Sequence, residues 1–233
     1  FFAGYRALPR SIDGLAGAPE WATMRSMLPD MAGARVLDLG CGFGWFARWA
    51  AEAGATSTLG VDLSSKMLDQ AQRDTPADLN VTYRQADLEE LRLAGAEFDF
   101  VHSSLAVHYV ADWSRLARVV FEALVSGGRF VYSTEHPIFS ASAEQRFVQT
   151  ERGPTWPVTG YLNEGERKRR FVVDGVVKHH RTIGTQLNTL VDVGFTMDRV
   201  CEWGPSDKQV SANPHWVHEQ ERPLFLLVAA VKP

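Results

Sequence analysis

Val36-Leu37-Asp38-Leu39-Gly40-Cys41-Gly42-Phe43-Gly44 is the stretch on which the fold turns. An apolar run ends in an acid, and three glycines then alternate with other residues. Glycines so placed let the backbone turn sharply and approach a ligand closely, because no Cβ intervenes. Outward from this point, short apolar strands alternate with amphipathic helices from Arg35 to Glu135, the pattern of βαβ units on a parallel sheet. Strands are expected at Arg35–Leu39, Thr58–Val61, Val81–Gln85, Phe98–His102 and Arg129–Thr134. Between them, a helix runs from about Phe43 to Ala53 and stops at Gly54. A second, capped by Ser64, runs from Ser65 to about Asp74. Asp112 caps a third, in which Leu116, Val119, Val120, Ala123 and Leu124 recur at helical spacing until Gly127-Gly128.

After Thr134 the rhythm breaks. A segment rich in aromatic residues, Gly and Pro runs from His136 to Arg181. Within it Phe171–Val177 reads as a hairpin turning on Asp174-Gly175, a pair suited to a tight turn. A helix from about Thr182 to Val193 and strands at Phe195–Glu202 and Leu224–Val231 complete the chain. The expected organisation is a single domain over 1–233. It comprises an N-terminal cap (1–33, with a helix from Pro19), a ligand-binding core (34–135), an insert acting as a lid (136–181) and a C-terminal core (182–233).

Composition narrows the function. A chain of 233 residues with 45% hydrophobic content can bury one sizeable core. A formal charge of -4 argues against a general nucleic-acid surface. The one basic cluster, Arg167-Lys168-Arg169-Arg170, reads as a solvated strand or loop edge. Cys41 and Cys201 lie far apart and lack metal-ligand spacing, so a reducing compartment is expected and neither a disulfide nor a metal site. The longest apolar run, Leu224 to Val231, is far short of the roughly 20 residues of a membrane span. No signal peptide is visible, which suggests a cytoplasmic protein, although a chain starting at Phe1 leaves upstream targeting open.

Three acids end three successive strands: Asp38, Asp62 and Asp87. In an open α/β sheet the carboxyl ends of the strands form the ligand crevice, so the three carboxylates face one pocket. The glycine turn by itself also suits a dinucleotide. That fingerprint wants its third glycine one position beyond Gly44, where Trp45 stands. Asp38 beneath the loop would repel a pyrophosphate and suits a ligand carrying an ammonium group. A NAD(P)-dependent oxidoreductase is therefore the alternative, and a ligand-binding protein without chemistry a further one.

The ordered set Asp38-x-Gly40-x-Gly42-x-Gly44, Gly60-Val61-Asp62-Leu63-Ser64-x-x-Met67, Gln85-Ala86-Asp87-Leu88 and Phe98-Asp99-Phe100-Val101-x-Ser103-Ser104-Leu105-Ala106-Val107-His108 resembles the class I S-adenosylmethionine-dependent methyltransferases. The resemblance spans about Ala34 to Glu135. It is strongest to the small-molecule branch that includes ubiquinone- and biotin-pathway enzymes. It implies a Rossmann-like α/β fold: a seven-stranded, mostly parallel sheet with helices on both faces and the last strand antiparallel. By resemblance, Gly40, Cys41, Gly42 and Gly44 hold the methionine part of S-adenosylmethionine, ordered by Asp38. Asp62 accepts the ribose hydroxyls, Leu63 and Met67 line the adenine face, and Asp87 with the Leu88 backbone reads the base. Ala86 and Ser103 flank the same site. In related enzymes the N-terminal segment folds over the cofactor, which would bring Tyr5 and Arg10, beyond Phe1-Phe2, to the methionine end.

For the reaction, transfer to an O or N atom of a small molecule by in-line displacement is expected, aided by positioning and a histidine base. His136, His180 and His108 are the candidates, with Glu135 and Tyr109 behind them, and only one of His179 and His180 should face inward. His136 and His180 flank the insert, so His180→Ala should lower turnover. Phe139, Phe147, Trp156, Tyr161 and Phe171 offer flat apolar surface for the acceptor, or a covering for the sheet edge. Amino-directed DNA enzymes, cytosine C5 enzymes and protein arginine enzymes are disfavoured. The fourth strand leads into His102-Ser103-Ser104-Leu105, and neither a Pro-Cys pair nor paired glutamates after that strand is present. The expected partner is a small molecule, with no nucleic acid and no membrane, the protein being a monomer or homodimer.

Overall fold

The computed structural model describes residues 2–142 and 144–233. Five of the seven strands of the main sheet come first: β1 (Arg35–Leu39), β2 (Ser57–Asp62), β3 (Val81–Gln85), β4 (Phe98–Ser104) and β5 (Leu124–Glu135). Two small hairpins follow, β6 (Val148–Thr150) with β7 (Gly153–Thr155), and β8 (Gly165–Phe171) with β9 (Val173–His180). β10 (Thr196–Trp203) and β11 (Phe225–Val231) return to the main sheet, whose order is β10-β11-β5-β4-β1-β2-β3. β1 to β5 pair in parallel, and β11 runs antiparallel to both β5 and β10. The strand order reverses between β1 and β4, and a crevice opens there beyond the carboxyl ends.

Alternation along the strands builds a core on each face. Leu37, Val101, Phe130, Tyr132, Leu226 and Val228 pack on one side with Trp113, Leu116 and Val120 of α6 (Trp113–Ala123) and Leu190 of α8 (Ile183–Val193). Val36, Phe100, Val131, Leu227 and Ala229 pack on the other with Met24 of α3 (Trp21–Ser26) and Phe46 and Ala50 of α4 (Trp45–Glu52). Local signals place the helix ends. The Ser64 hydroxyl accepts the Met67 N–H to start α5 (Ser65–Asp74), Asp112 accepts the Arg115 N–H to start α6, and Gly194 at φ 118° ends α8. Four further short helices are α1 (Phe2–Tyr5) and α2 (Pro9–Ile12) near the N-terminus, α7 (Pro137–Ala141) after β5, and α9 (Asp207–Ala212) near the other end.

Several expectations shift. β5 begins at Leu124 and runs through Gly127-Gly128, which therefore lie inside the strand. The segment after Thr134 contains α7, capped by His136, whose Nδ1 accepts the Ile138 N–H. The hairpin is longer than Phe171–Val177 and turns at Val172 (φ 65°), while Gly175 (φ 78°) sits within β9. The cause is tertiary. Arg169, Lys178 and His180 point inward and are buried, and Arg169 donates to the carbonyls of Ser140 and Ser142. Register follows the buried face rather than the best turn pair. Arg169 thus leaves the solvated edge expected of its cluster. Val172 packs against Gly4, where a Cβ would stand 2.3 Å from Val172 Cγ1, so the hairpin tip meets the N-terminal segment. Phe1 lies outside the described residues.

Candidate functional site

The three loop glycines all have left-handed backbone, at φ 71°, 53° and 71° for Gly40, Gly42 and Gly44, but they serve different ends. A Cβ on Gly40 would stand 2.3 Å from the Ala106 Cβ, and one on Gly44 would stand 2.1 Å from the Tyr83 hydroxyl. Both are small so that the loop can pack. A Cβ on Gly42 would meet nothing within 4 Å, because it would project into the crevice. Gly42 is where a ligand can lie against bare backbone.

Beside the loop is a pocket of about 80 Å³, lined by Asp38, Cys41, Trp45, His102 and, from the N-terminal segment, Tyr5 and Ser11. The Asp38 carboxylate is 2% exposed. Its Oδ1 is 2.8 Å from His102 Nδ1, and the His102 ring stacks on Phe46 at 3.6 Å. Asp38 Oδ2, His102 Nε2, Trp45 Nε1 and Ser11 Oγ are buried without a hydrogen-bond partner. Buried polar atoms are seldom left so, and four around one small pocket ask for a polar ligand. One carboxylate oxygen beside several donors matches the ammonium and carboxylate of an amino acid. Arg10 also lines the pocket and is held by Glu20 at 3.0 Å. Tyr5 lies edge-on to Phe43 and Phe171, closing the roof, and burial raises its phenol pKa. Burial likewise pushes the Cys41 thiol well up, so it stays a neutral part of the wall.

The main cavity, about 1020 Å³, runs from Gly40 and Gly42 past Asp62, Leu63, Met67, Asp87 and Leu88. Asp62 accepts the N–H of Gly42 through Oδ2 and of Ser64 through Oδ1, each at 2.9 Å, which fixes the carboxylate while each oxygen keeps a second lone pair. Burial is the main cause of its raised pKa. Leu63 is 63% exposed at the cavity rim, a surface that a flat base would cover. Asp87 accepts the Glu89 N–H at 2.9 Å. Ser103, by contrast, is turned away and donates to the Leu39 carbonyl, and its neighbour Ser104 lines the cavity instead. Neither Ala86, packed on the core, nor Gly44 lines the cavity.

The far end of the cavity is bounded by His108, Tyr109, Glu135, Phe139, Phe171 and Lys178. Lys178, 5% exposed, forms an ion pair with Glu135, and its ammonium lies 4.6 Å from the Phe171 ring centroid and 5.6 Å from that of Tyr109. The C-terminal segment adds Gln209, Asn213 and Trp216 to the wall. Among the described residues no group of three or more His, Cys, Asp or Glu could hold a metal ion, and no helix is long and apolar enough to cross a membrane.

Comparison with known proteins agrees with this geometry. Residues 37–132 match the model of the methyltransferase domain family. A crystal structure of an S-adenosylmethionine-dependent methyltransferase from Mesorhizobium loti is 51% identical, covers 94% of this chain and 100% of its own, and superposes with a TM-score of 0.90. This chain is an S-adenosylmethionine-dependent methyltransferase. Its core also resembles the malonyl-[acyl-carrier protein] O-methyltransferase of Enterobacter lignolyticus, at 38% identity over 48% of this chain and 43% of that protein. It resembles the 27-O-demethylrifamycin SV methyltransferase of Amycolatopsis mediterranei at 35% identity over 53% of this chain and 43% of that protein. The oxidoreductase alternative finds nothing in its favour.

In this methyltransferase the three candidate histidines separate. Only His108 lines the cavity. Its Nδ1 is 3.3 Å from Thr134 Oγ1 and accepts the Glu135 N–H at 3.4 Å, an arrangement that favours the ring proton on Nε2. Burial, with Lys178, Arg181 and Arg10 adding to it, holds its pKa well below the ordinary range. His108 is a neutral hydrogen-bond donor, a poor base. His136 is fully buried between Glu202 and the Ile138 N–H, and His180 bridges Ser140 Oγ and the Tyr161 carbonyl, both at 2.8 Å. Both brace the insert and stand outside the cavity lining. The insert's aromatics divide likewise: Phe139 and Phe171 reach the cavity, whereas Phe147 and Trp156 enclose the Arg222 guanidinium, and the Tyr161 hydroxyl accepts the Ile183 N–H.

Stability rather than turnover should therefore report on these rings. Burial lowers the pKa of His108, His136 and His180, so the unfolded chain binds more protons than the folded one as pH falls. The melting temperature is expected to drop as pH is lowered from about 7 through the ordinary histidine value of about 6.5. His180→Ala should reduce stability by roughly 1–3 kcal/mol through its lost partners, with binding of S-adenosylhomocysteine unchanged. Slowed turnover with an unchanged melting temperature would return His180 to the chemistry.

Proposed function

We propose that this methyltransferase modifies an oxygen or nitrogen atom of a small molecule with a flat, partly apolar body. The observation that carries this reading is the continuous cavity of about 1020 Å³ that runs from the glycine loop to Phe139 and Phe171 of the insert. It is of a size to hold the cofactor and a small second molecule end to end. When bound, S-adenosylmethionine supplies a methyl group already activated on a sulfonium. The chain's own work is then to hold, orient and dry the reactants, and positioning alone can contribute roughly 7–11 kcal/mol. Asp38, with His102 behind it, would hold the ammonium. Ser11, Trp45 and Arg10 would face the carboxylate, Asp62 the ribose, and Leu63, Met67, Asp87 and Leu88 the base. Segment 136–181 would be the lid, since its Phe139, Phe171 and Lys178 wall the acceptor end and its tip rests on Gly4.

The names of two relatives specify O-methylation, and oxygen is the acceptor favoured here. Two widely separated cysteines and the absence among the described residues of a membrane-crossing helix accord with a cytoplasmic enzyme. The test is transfer of labelled methyl from S-adenosylmethionine to fractions of a cell extract. Label is expected in small organic molecules below the size of a peptide. Label confined to protein or nucleic acid would sink the reading.

A further inference from the structure

Resting on that reading, we propose that Lys178 and Glu135 form an acid–base pair that selects an acidic hydroxyl, phenolic or enolic, as the methyl acceptor. The pair joins two elements distant in sequence: Glu135 ends β5 beneath the cavity, and Lys178 projects from β9 of the insert. Both line the acceptor end, and Lys178 is 5% exposed. A surface ion pair would need no explanation. A buried one in the wall of a cavity carries a desolvation cost that a surface pair does not, which its position against a bound acceptor would account for.

The other titratable groups facing this place do not offer a base. His108 presents its Nε2 proton and is held neutral, and Tyr109 is kept protonated by burial and by the neighbouring Glu135. Arg10 is committed to Glu20, and Asp62 and Asp87 stand on the cofactor side, with Glu89 beside Asp87.

The pair also sorts acceptors by charge. An alkylammonium would meet the Lys178 ammonium, and a carboxylate would meet the Glu135 carboxylate. A neutral hydroxyl suits both, donating its proton to Glu135 while Lys178 donates to its oxygen. A cation so placed lowers the hydroxyl pKa, and Glu135, once it has taken the proton, no longer repels the oxyanion as it does while charged. An ordinary alcohol is too weak an acid for a carboxylate to deprotonate, whereas a phenol, like tyrosine, has a pKa of about 10. Tyr109 and Phe171, already stacked about the Lys178 ammonium, and Phe139 would pack on such a flat body. In the transfer, the hydroxyl proton passes to Glu135 and the oxygen electron pair forms the new O–C bond. The methyl–sulfur bond breaks with its pair on sulfur, and Glu135 later returns the proton to water.

The test uses 4-nitrophenol, whose ionised form absorbs in the visible, titrated with pH in the presence of the enzyme loaded with S-adenosylhomocysteine. Bound nitrophenol is expected to ionise at a pH at least one unit below free nitrophenol, roughly a tenfold shift in its equilibrium. Lys178→Met should abolish the shift. Because this variant leaves Glu135 buried and unpaired, the double variant Lys178→Met/Glu135→Gln is measured beside it. It should bind S-adenosylhomocysteine as the native protein does and also show no shift. An unshifted or raised pKa on the native enzyme, or a shift that survives in the double variant, would overturn the proposal. So would binding of the matched benzoate or benzylamine in place of the phenol, although small flat acceptors would then still stand. If none of the three binds, the small-molecule reading fails with it.

Discussion

Asp38→Asn is expected to weaken binding of S-adenosylhomocysteine by about two orders of magnitude, which corresponds to roughly 3 kcal/mol. The carboxylate is 2% exposed, and one of its oxygens is held by His102 while the other has no partner. An ammonium placed at Oδ2 gains a charge-assisted hydrogen bond in a setting that water does not screen. Asn keeps the shape and an oxygen for His102 but removes the charge. The same reasoning sets a second expectation of opposite sign. In the free protein a buried carboxylate with one oxygen unpartnered is a liability, so Asp38→Asn should leave the melting temperature unchanged or raise it. Calorimetric titration and a thermal melt together check both. Unaltered affinity would mean that the small pocket does not take the ammonium.

Gly40→Ala is expected to lose roughly 2–5 kcal/mol of stability, the sum of left-handed backbone in a residue with a Cβ and of overpacking against Ala106. For a chain of this length that is a fall of about 5–15 °C in melting temperature. Gly42→Ala shares only the backbone part, roughly 1–2 kcal/mol, because its added methyl meets no protein atom. That methyl enters the cavity, so this variant should stay folded and bind S-adenosylhomocysteine poorly. Thermal melts and titrations on the two variants should thus rank them in opposite orders. Equal effects on affinity and stability would show that the loop's glycines are interchangeable.

The contrast between these glycines marks what was legible. Their spacing announced a sharp turn, and the acids at three strand ends announced a crevice, although they do not share one pocket: Asp38 lines the small one and Asp62 and Asp87 the large. These are local patterns, since strand period, caps and the position of an acid after a strand depend on neighbours in sequence. The division of labour within the turn was not legible, because it depends on Ala106, in the loop beyond β4, and on Tyr83 of β3. His102 went unnoticed for the same reason: only pairing of β4 beside β1 sets it opposite Asp38. Ser103 and Ser104 differ by one position, and the register of β4 alone decides which faces the ligand. Lys178 was within reach, since it shares its parity with inward-facing His180 on the same strand.

His136 and His180 show the converse. Placed by sequence at the edges of the insert, they suggested chemistry, yet each spends both ring nitrogens on structural contacts, His180 within the insert and His136 between α7 and β10. A histidine's use depends on what occupies its two nitrogens, and those partners lie 2 to 66 residues away in the chain. By itself the sequence determined the α/β core, the cofactor and the acids at the strand ends, because each is written in short-range patterns repeated along the chain. Tertiary structure alone decided which side chains share the far end of the cavity, because Glu135 and Lys178 meet only when the insert folds back across the sheet.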